Sequence, residues 1–141
     1  MLTDSNYTDW VLEDRPLAFI IEDEPSLATI FALAVDKAGY RTEIIREGRQ
    51  ALKQLAVSQP HIIILDLHLP YVSGKDLLQY IRSDSRLAKT QVIITTADAL
   101  QAELLHKEAD LVLLKPVSFQ QLRDLATRLR PPDTLGIVSE D

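Results

Sequence analysis

The chain has 141 residues, 46% of them hydrophobic, and a net charge of −6 at pH 7, which suits one domain of ordinary size with a real core. It holds no cysteine, so disulfides and thiolate metal sites are excluded, and its longest apolar run is six residues, far short of a membrane helix. All 15 Lys and Arg fall between Arg15 and Arg130, interleaved with 14 Asp and Glu, so no clustered basic face speaks for nucleic-acid binding.

Residues 1–14 read as an acidic extension carrying Asp4, Asp9, Glu13 and Asp14. Its first residues lack the basic start and apolar core of a signal peptide, so a cytoplasmic location is expected. Trp10, with Tyr7, Val11 and Leu12, is an apolar island in that extension. The first strand is Leu17–Ile21, a short apolar run of the kind that reads as a buried parallel strand. A helix is expected from about Ser26 to Ala38, with Pro25 at its start, Gly39 as its stop and Leu27, Ile30, Phe31 and Ala34 on one face.

A second strand, Arg41–Ile45, precedes a helix near Gly48–Val57 with Ala51, Leu52, Leu55 and Ala56 inward. The third strand is His61–Leu65. A loop with Pro70 follows, and Ser73 is an N-cap for a helix carrying Leu77, Leu78 and Ile81. The fourth strand, Gln91–Thr95, leads to a weakly amphipathic helix over Ala99–Lys107. The fifth strand is Leu111–Leu114, and the last helix, Ser118–Leu129, ends at Pro131-Pro132. Five strand–helix alternations predict an α/β fold, a three-layer doubly wound parallel sheet with helices on both faces.

In such a sheet the ligand site lies past the carboxyl ends of the strands. Three of those ends carry chemistry. The first strand runs into Glu22-Asp23-Glu24-Pro25, the third into Asp66, and the fifth into Lys115-Pro116. Carboxylates gathered at one edge need a hard cation to coexist, and a lysine beside them suits a phosphoryl group. Taken singly, an Asp after an apolar run is an ordinary turn or cap, and an acidic triplet suits a helix N-terminus. Their coincidence on one edge favours a site.

Four motifs carry a resemblance. Ile20-Ile21-Glu22-Asp23-Glu24-Pro25, Leu65-Asp66-Leu67-His68-Leu69-Pro70 with Ser73-Gly74, Ile94-Thr95-Thr96-Ala97, and Leu114-Lys115-Pro116 stand in order at the ends of strands one, three, four and five. The chain resembles the response-regulator receiver domain of bacterial two-component systems, of the stand-alone chemotaxis type, over about Leu17–Leu129. The resemblance implies a flavodoxin-like (βα)5 fold with strand order 2-1-3-4-5. It implies that Asp66 is the phosphoacceptor, and that Glu22, Asp23, Asp66 and the backbone carbonyl of His68 hold Mg²⁺. Glu22 is longer than the Asp the family often has, and is expected to act through a bound water. Thr96 matches the hydroxyl that binds the phosphoryl group, while Thr95 points to the other face. Lys115 matches the lysine that pairs with Asp66, with a cis peptide bond before Pro116.

Further implications concern partners and switching. The phosphoryl donor would be a sensor histidine kinase or a histidine phosphotransfer protein, and output would go to a downstream protein partner. The face of the fourth helix, fifth strand and fifth helix would offer Leu100, Leu104 and Val112 as a docking or homodimer surface. Val112 stands where the family carries a switch aromatic, so the usual ring movement is not available. His68 and Asp98 flank the phosphoryl site, with Asp98 placing a charge near the entrance. The expected division is an extension (1–14), a receiver (15–130) and a short tail (131–141). An enzyme acting on other substrates is not expected. A non-phosphorylated pseudo-receiver acting as an adaptor is the rival, favoured only by Val112. A flavodoxin-like cofactor binder or phosphatase would need a glycine-rich phosphate loop where Glu22-Asp23-Glu24-Pro25 stands.

Overall fold

A computed structural model describes residues 14–132. Trp10 and its neighbours, and the tail beyond Pro132, lie outside them. The elements are β1 (Leu17–Ile21), α1 (Pro25–Lys37), β2 (Arg41–Ile45), α2 (Gly48–Val57), β3 (Ile62–Asp66), α3 (Gly74–Ser83), a 3₁₀ turn (Ser85–Leu87), β4 (Gln91–Thr96), α4 (Ala99–Leu105), β5 (Leu111–Leu114) and α5 (Phe119–Leu129). All strand pairs are parallel and the sheet order is β2-β1-β3-β4-β5. This is the receiver-type flavodoxin-like topology that the motifs implied.

The strand alternation divides the core into two layers. Phe19, Ile21, Ile63 and Leu65 face Leu55, Leu77, Leu78 and Ile81 of α2 and α3. Ala18, Ile20, Ile62 and Ile64 face Phe31, Ala34, Leu122 and Ala126 of α1 and α5. Both faces of β1 and β3 are therefore covered, which is why their sequences are unbroken apolar runs. Tyr40 is fully buried between α1 and α5, and its hydroxyl donates to the Ala126 carbonyl at 2.9 Å.

The helix ends follow local chemistry. Pro25 occupies the first turn of α1, and Glu24 caps it by accepting from Leu27 N at 2.8 Å. Gly39 turns the chain out of α1 at φ 104, in the left-handed region. Ser73 caps α3 by accepting from Asp76 N.

Three expectations are corrected. Ile30 points to solvent (41% exposed), because α1 lays Ala28, Phe31 and Val35 on the sheet and carries more apolar residues than one stripe can hold. Ala56 is exposed for the same reason on α2, where Ala51 and Leu55 form the buried ridge. Helix α4 stops at Leu105, short of Lys107, because the chain must turn back to lay Asp110 beside β4. There Val92 N donates to Asp110 Oδ2 at 2.6 Å, and Arg82 donates to Asp110 Oδ2 (2.9 Å), to the Glu108 carbonyl (2.8 Å) and to the Thr90 carbonyl (3.2 Å). The Glu108-Ala109-Asp110 turn is thus a structural clamp between α3, β4 and β5.

Candidate functional site

Side-chain alternation brings the charged residues to one place. Glu22 continues the phase of Ile20, Asp66 that of Ile64, and Lys115 that of Leu113, all on the α1–α5 side of the sheet. The three side chains meet at the carboxyl edge. Lys115 Nζ donates to Asp66 Oδ1 at 3.3 Å and to Glu22 Oε1 at 3.4 Å. Glu22 and Asp66 are 1% and 3% exposed, while the Lys115 side chain keeps a partly open face toward solvent. Asp23 sits on the solvent side of it. Ligand oxygens of Glu22, Asp23 and Asp66 all lie within 4.8 Å of one another. The Lys115–Pro116 peptide is cis, as the motif implied.

The electrostatics are unbalanced. Burial pushes the Glu22 carboxyl up to about 7, and the charge of Asp66 pushes in the same direction. Lys115 and the Glu24 N–H, which donates to Glu22 Oε2 at 3.3 Å, oppose the rise without cancelling it. One ammonium serves three carboxylates, so the cluster is short of positive charge. A small dication bound by oxygen ligands fits that deficit.

Thr96 reaches the pocket from the other phase of the sheet, that of Ile94. Its hydroxyl lies 3.4 Å from His68 Nε2 and accepts from Asp98 N at 3.0 Å; among the described residues it makes no hydrogen bond to Asp66. Thr95 is buried on the opposite face, as expected, and among the described residues its hydroxyl has no hydrogen-bond partner. His68 contributes its backbone N–H to Asp66 Oδ1 at 3.3 Å, while its ring is exposed. The Asp98 carboxylate is engaged as the N-cap of α4, accepting from Leu100 N and Gln101 N at 3.0 and 3.2 Å.

One residue shapes the pocket without touching a ligand. The start of α3 runs against the backbone that carries Asp66. A Cβ on Gly74 would collide with the Asp66 carbonyl oxygen and lie 2.6 Å from Leu67 Cα, so only glycine fits. The Gly74 N–H donates to the Leu67 carbonyl at 3.0 Å. Val112 is half-buried, while Leu100 (67%) and Leu104 (60%) of α4 and Leu114 (50%) of β5 are exposed.

The family described as "Response regulator receiver domain" matches residues 18–127. The chain is 31% identical over 122 residues to the sensory transduction protein RegX3 of Mycolicibacterium smegmatis, covering 86% of this chain and 52% of that protein. It thus spans about half the length of that relative. Among solved structures it is similar to the signal receiver domain of a protein assigned as a Luxo repressor in Vibrio parahaemolyticus. That match has 32% identity, a TM-score of 0.75, and covers 90% of this chain and 98% of the other. The receiver domain of the sensor histidine kinase PA1611 of Pseudomonas aeruginosa shares the fold at 24% identity and a TM-score of 0.73, covering 82% and 97% of the two chains; it carries a magnesium ion in its active-site cleft.

Proposed function

The chain belongs to the response regulator receiver domain family, and from that premise we propose that it is a phosphoacceptor whose acceptor is Asp66. The donor is a phosphohistidine on a sensor histidine kinase or a histidine phosphotransfer protein. A carboxylate oxygen of Asp66 attacks phosphorus while the P–N bond to the donor imidazole breaks. The imidazole leaves with the bonding electrons and takes up a proton, and Asp66 becomes an acyl phosphate. The observation that carries this reading is the meeting of buried Asp66 with Lys115 inside a carboxylate cluster.

The chain's own groups have definable roles. The Lys115 ammonium steadies the Asp66 carboxylate at 3.3 Å and can turn to a phosphoryl oxygen after transfer. The backbone N–H of His68 holds Asp66 Oδ1 and so orients the nucleophile. Thr96 has a hydroxyl proton to offer the phosphoryl group once it leaves His68. Glu22, Asp23, Asp66 and the His68 carbonyl would hold Mg²⁺, and the raised Glu22 carboxyl supports this fit. When bound, the ion supplies positive charge that offsets repulsion between the carboxylates and an incoming phosphoryl group.

In this reading residues 15–130 are the receiver unit, flanked by the acidic residues 1–14 and by 131–141. Phosphorylation changes protein–protein contacts, and the exposed Leu100, Leu104 and Leu114 mark the surface offered to a downstream partner or a second copy. The chain acts on itself only. Transfer of label from a panel of phosphorylated histidine kinases and phosphotransfer proteins tests the reading. Transfer to the native chain and none to Asp66→Asn is expected. Equal labelling of both chains would overturn the assignment.

A further inference from the structure

The opposite edge of the sheet holds a second charged feature that phosphorylation does not use. There the N-terminal ends of β1, β2 and β3 and the end of α5 enclose a cleft of about 320 Å³. Its walls include Arg15, Arg41, Arg130 and His61, and the only acid among the described lining residues is Asp14. A second groove, of about 410 Å³, shares Gln59 and His61 with it and adds Lys89. This is a concentration of cations on a chain whose net charge is −6.

The state of those cations is informative. Among the described residues, the nearest carboxylate to Arg15 is Asp36 at 3.7 Å, and the nearest to Arg41 is Glu43 at 3.8 Å. Both distances exceed hydrogen-bond range. Among the described residues, neither guanidinium donates a hydrogen bond, and the His61 ring has no hydrogen-bond partner. Two planar donor forks therefore line one cleft with only loose ionic contacts. Both contacts are loose surface ion pairs, with side chains a third to nearly half exposed, so each fork keeps N–H donors available to an oxyanion in the cleft. A phosphate group is such an oxyanion, and guanidinium forks match it bidentately. The volume falls at the lower end of the range for small-molecule sites, roughly 300–1,000 Å³.

We propose that this cleft is a binding site for a small phosphate-bearing anion, from the size of pyrophosphate up to a mononucleotide. Arg15 and Arg41, on its walls, supply the positive charge that attracts the phosphate, and Gln59 and His61 line the rest of the space. The site is separate from the acceptor pocket. His61 precedes β3 and Asp66 ends it, so about 16 Å of strand lies between them. A ligand here neither competes with phosphorylation at Asp66 nor requires it.

Calorimetric titration of the full chain with pyrophosphate and with ADP tests this, in EDTA and low salt so that the acidic pocket holds no metal. Saturable binding is expected, weakened about tenfold or more in each of Arg15→Gln and Arg41→Gln and lost in the double variant. Amide shifts should move at Leu17, Arg41 and His61 and stay still around Asp66. Circular dichroism of the variants establishes that they fold. Tighter binding of ADP than of pyrophosphate would assign the site to nucleotides, and equal binding to the phosphate moiety alone. Absence of saturable binding at millimolar ligand would overturn the proposal, as would binding that the double variant retains or shifts confined to the Asp66 edge.

Discussion

Glu22→Gln removes a buried charge while keeping the side chain's shape, and its effect should depend on pH. Glu22 is 1% exposed, and its carboxyl is raised from 4.5 to about 7, mainly by burial and then by Asp66. Because folding raises this value, the folded chain binds an extra proton between the two. Metal-free protein is then most stable below that window and loses stability as pH rises through 7. The difference corresponds to at most about 3 kcal/mol, at about 1.4 kcal/mol for each tenfold change in proton affinity. Both oxygens of Glu22 accept from donors, Lys115 Nζ and Glu24 N, so the amide of Gln must face one of them and lose about 1 kcal/mol at any pH. The pH difference isolates the charge. In EDTA, Glu22→Gln should be slightly less stable than the native chain near pH 5 and more stable by about 1–2 kcal/mol near pH 8. Denaturant unfolding at both values measures this. Mg²⁺ at the higher pH should then stabilise the native chain more than the variant. A stability difference that is the same at both pH values would refute the claim that Glu22 is a strained, metal-seeking carboxylate.

Three further substitutions test other parts of the account. Gly74→Ala forces a methyl group against the Asp66 carbonyl and should cost about 1–3 kcal/mol in unfolding free energy, while also slowing phosphorylation because the acceptor's backbone shifts. Tyr40→Phe removes the buried hydrogen bond to Ala126 and should cost about 1–2 kcal/mol by thermal or denaturant unfolding, with phosphorylation unchanged. Asp110→Ala leaves Val92 N and the Arg82 guanidinium without their shared acceptor. It should destabilise by about 1–3 kcal/mol, with faster amide exchange concentrated at the start of β4 and β5.

The fold was legible because β1 and β3, buried on both faces, read as short apolar runs, and those runs alternate with helical segments as in a parallel sheet. The edge strand β2 reads poorly on its own, since Arg41, Glu43 and Ile44 face solvent; only its place in the alternation identified it. Helix faces were harder. Ile30 was misplaced because hydrophobicity marks a candidate stripe, while the size of Ala28 and Ala34 decides which stripe lies closest to the sheet. At the candidate site, Glu22, Asp23, Asp66 and Lys115 were legible because topology alone carries strand ends to one edge. The capping by Asp98 follows the same positional rule that marks Ser73, an Asp just before a helix. The Thr96–His68 contact and the Arg82–Asp110 clamp were not legible, because each depends on side-chain directions that no spacing in the sequence encodes. The basic cleft was hidden for a related reason: Arg15, Arg41 and Arg130 are far apart along the chain and converge only once the strands are ordered.

Intact mass after incubation with Mg²⁺ and acetyl phosphate tests the central claim most directly, with Asp66→Ala and an EDTA-treated sample beside the native chain. One added phosphoryl group on the native chain, absent from both controls, is the predicted result. A native chain that stays unmodified, or an adduct that survives Asp66→Ala, would contradict the account; the unmodified case would leave an adaptor whose acidic pocket does not signal through phosphate.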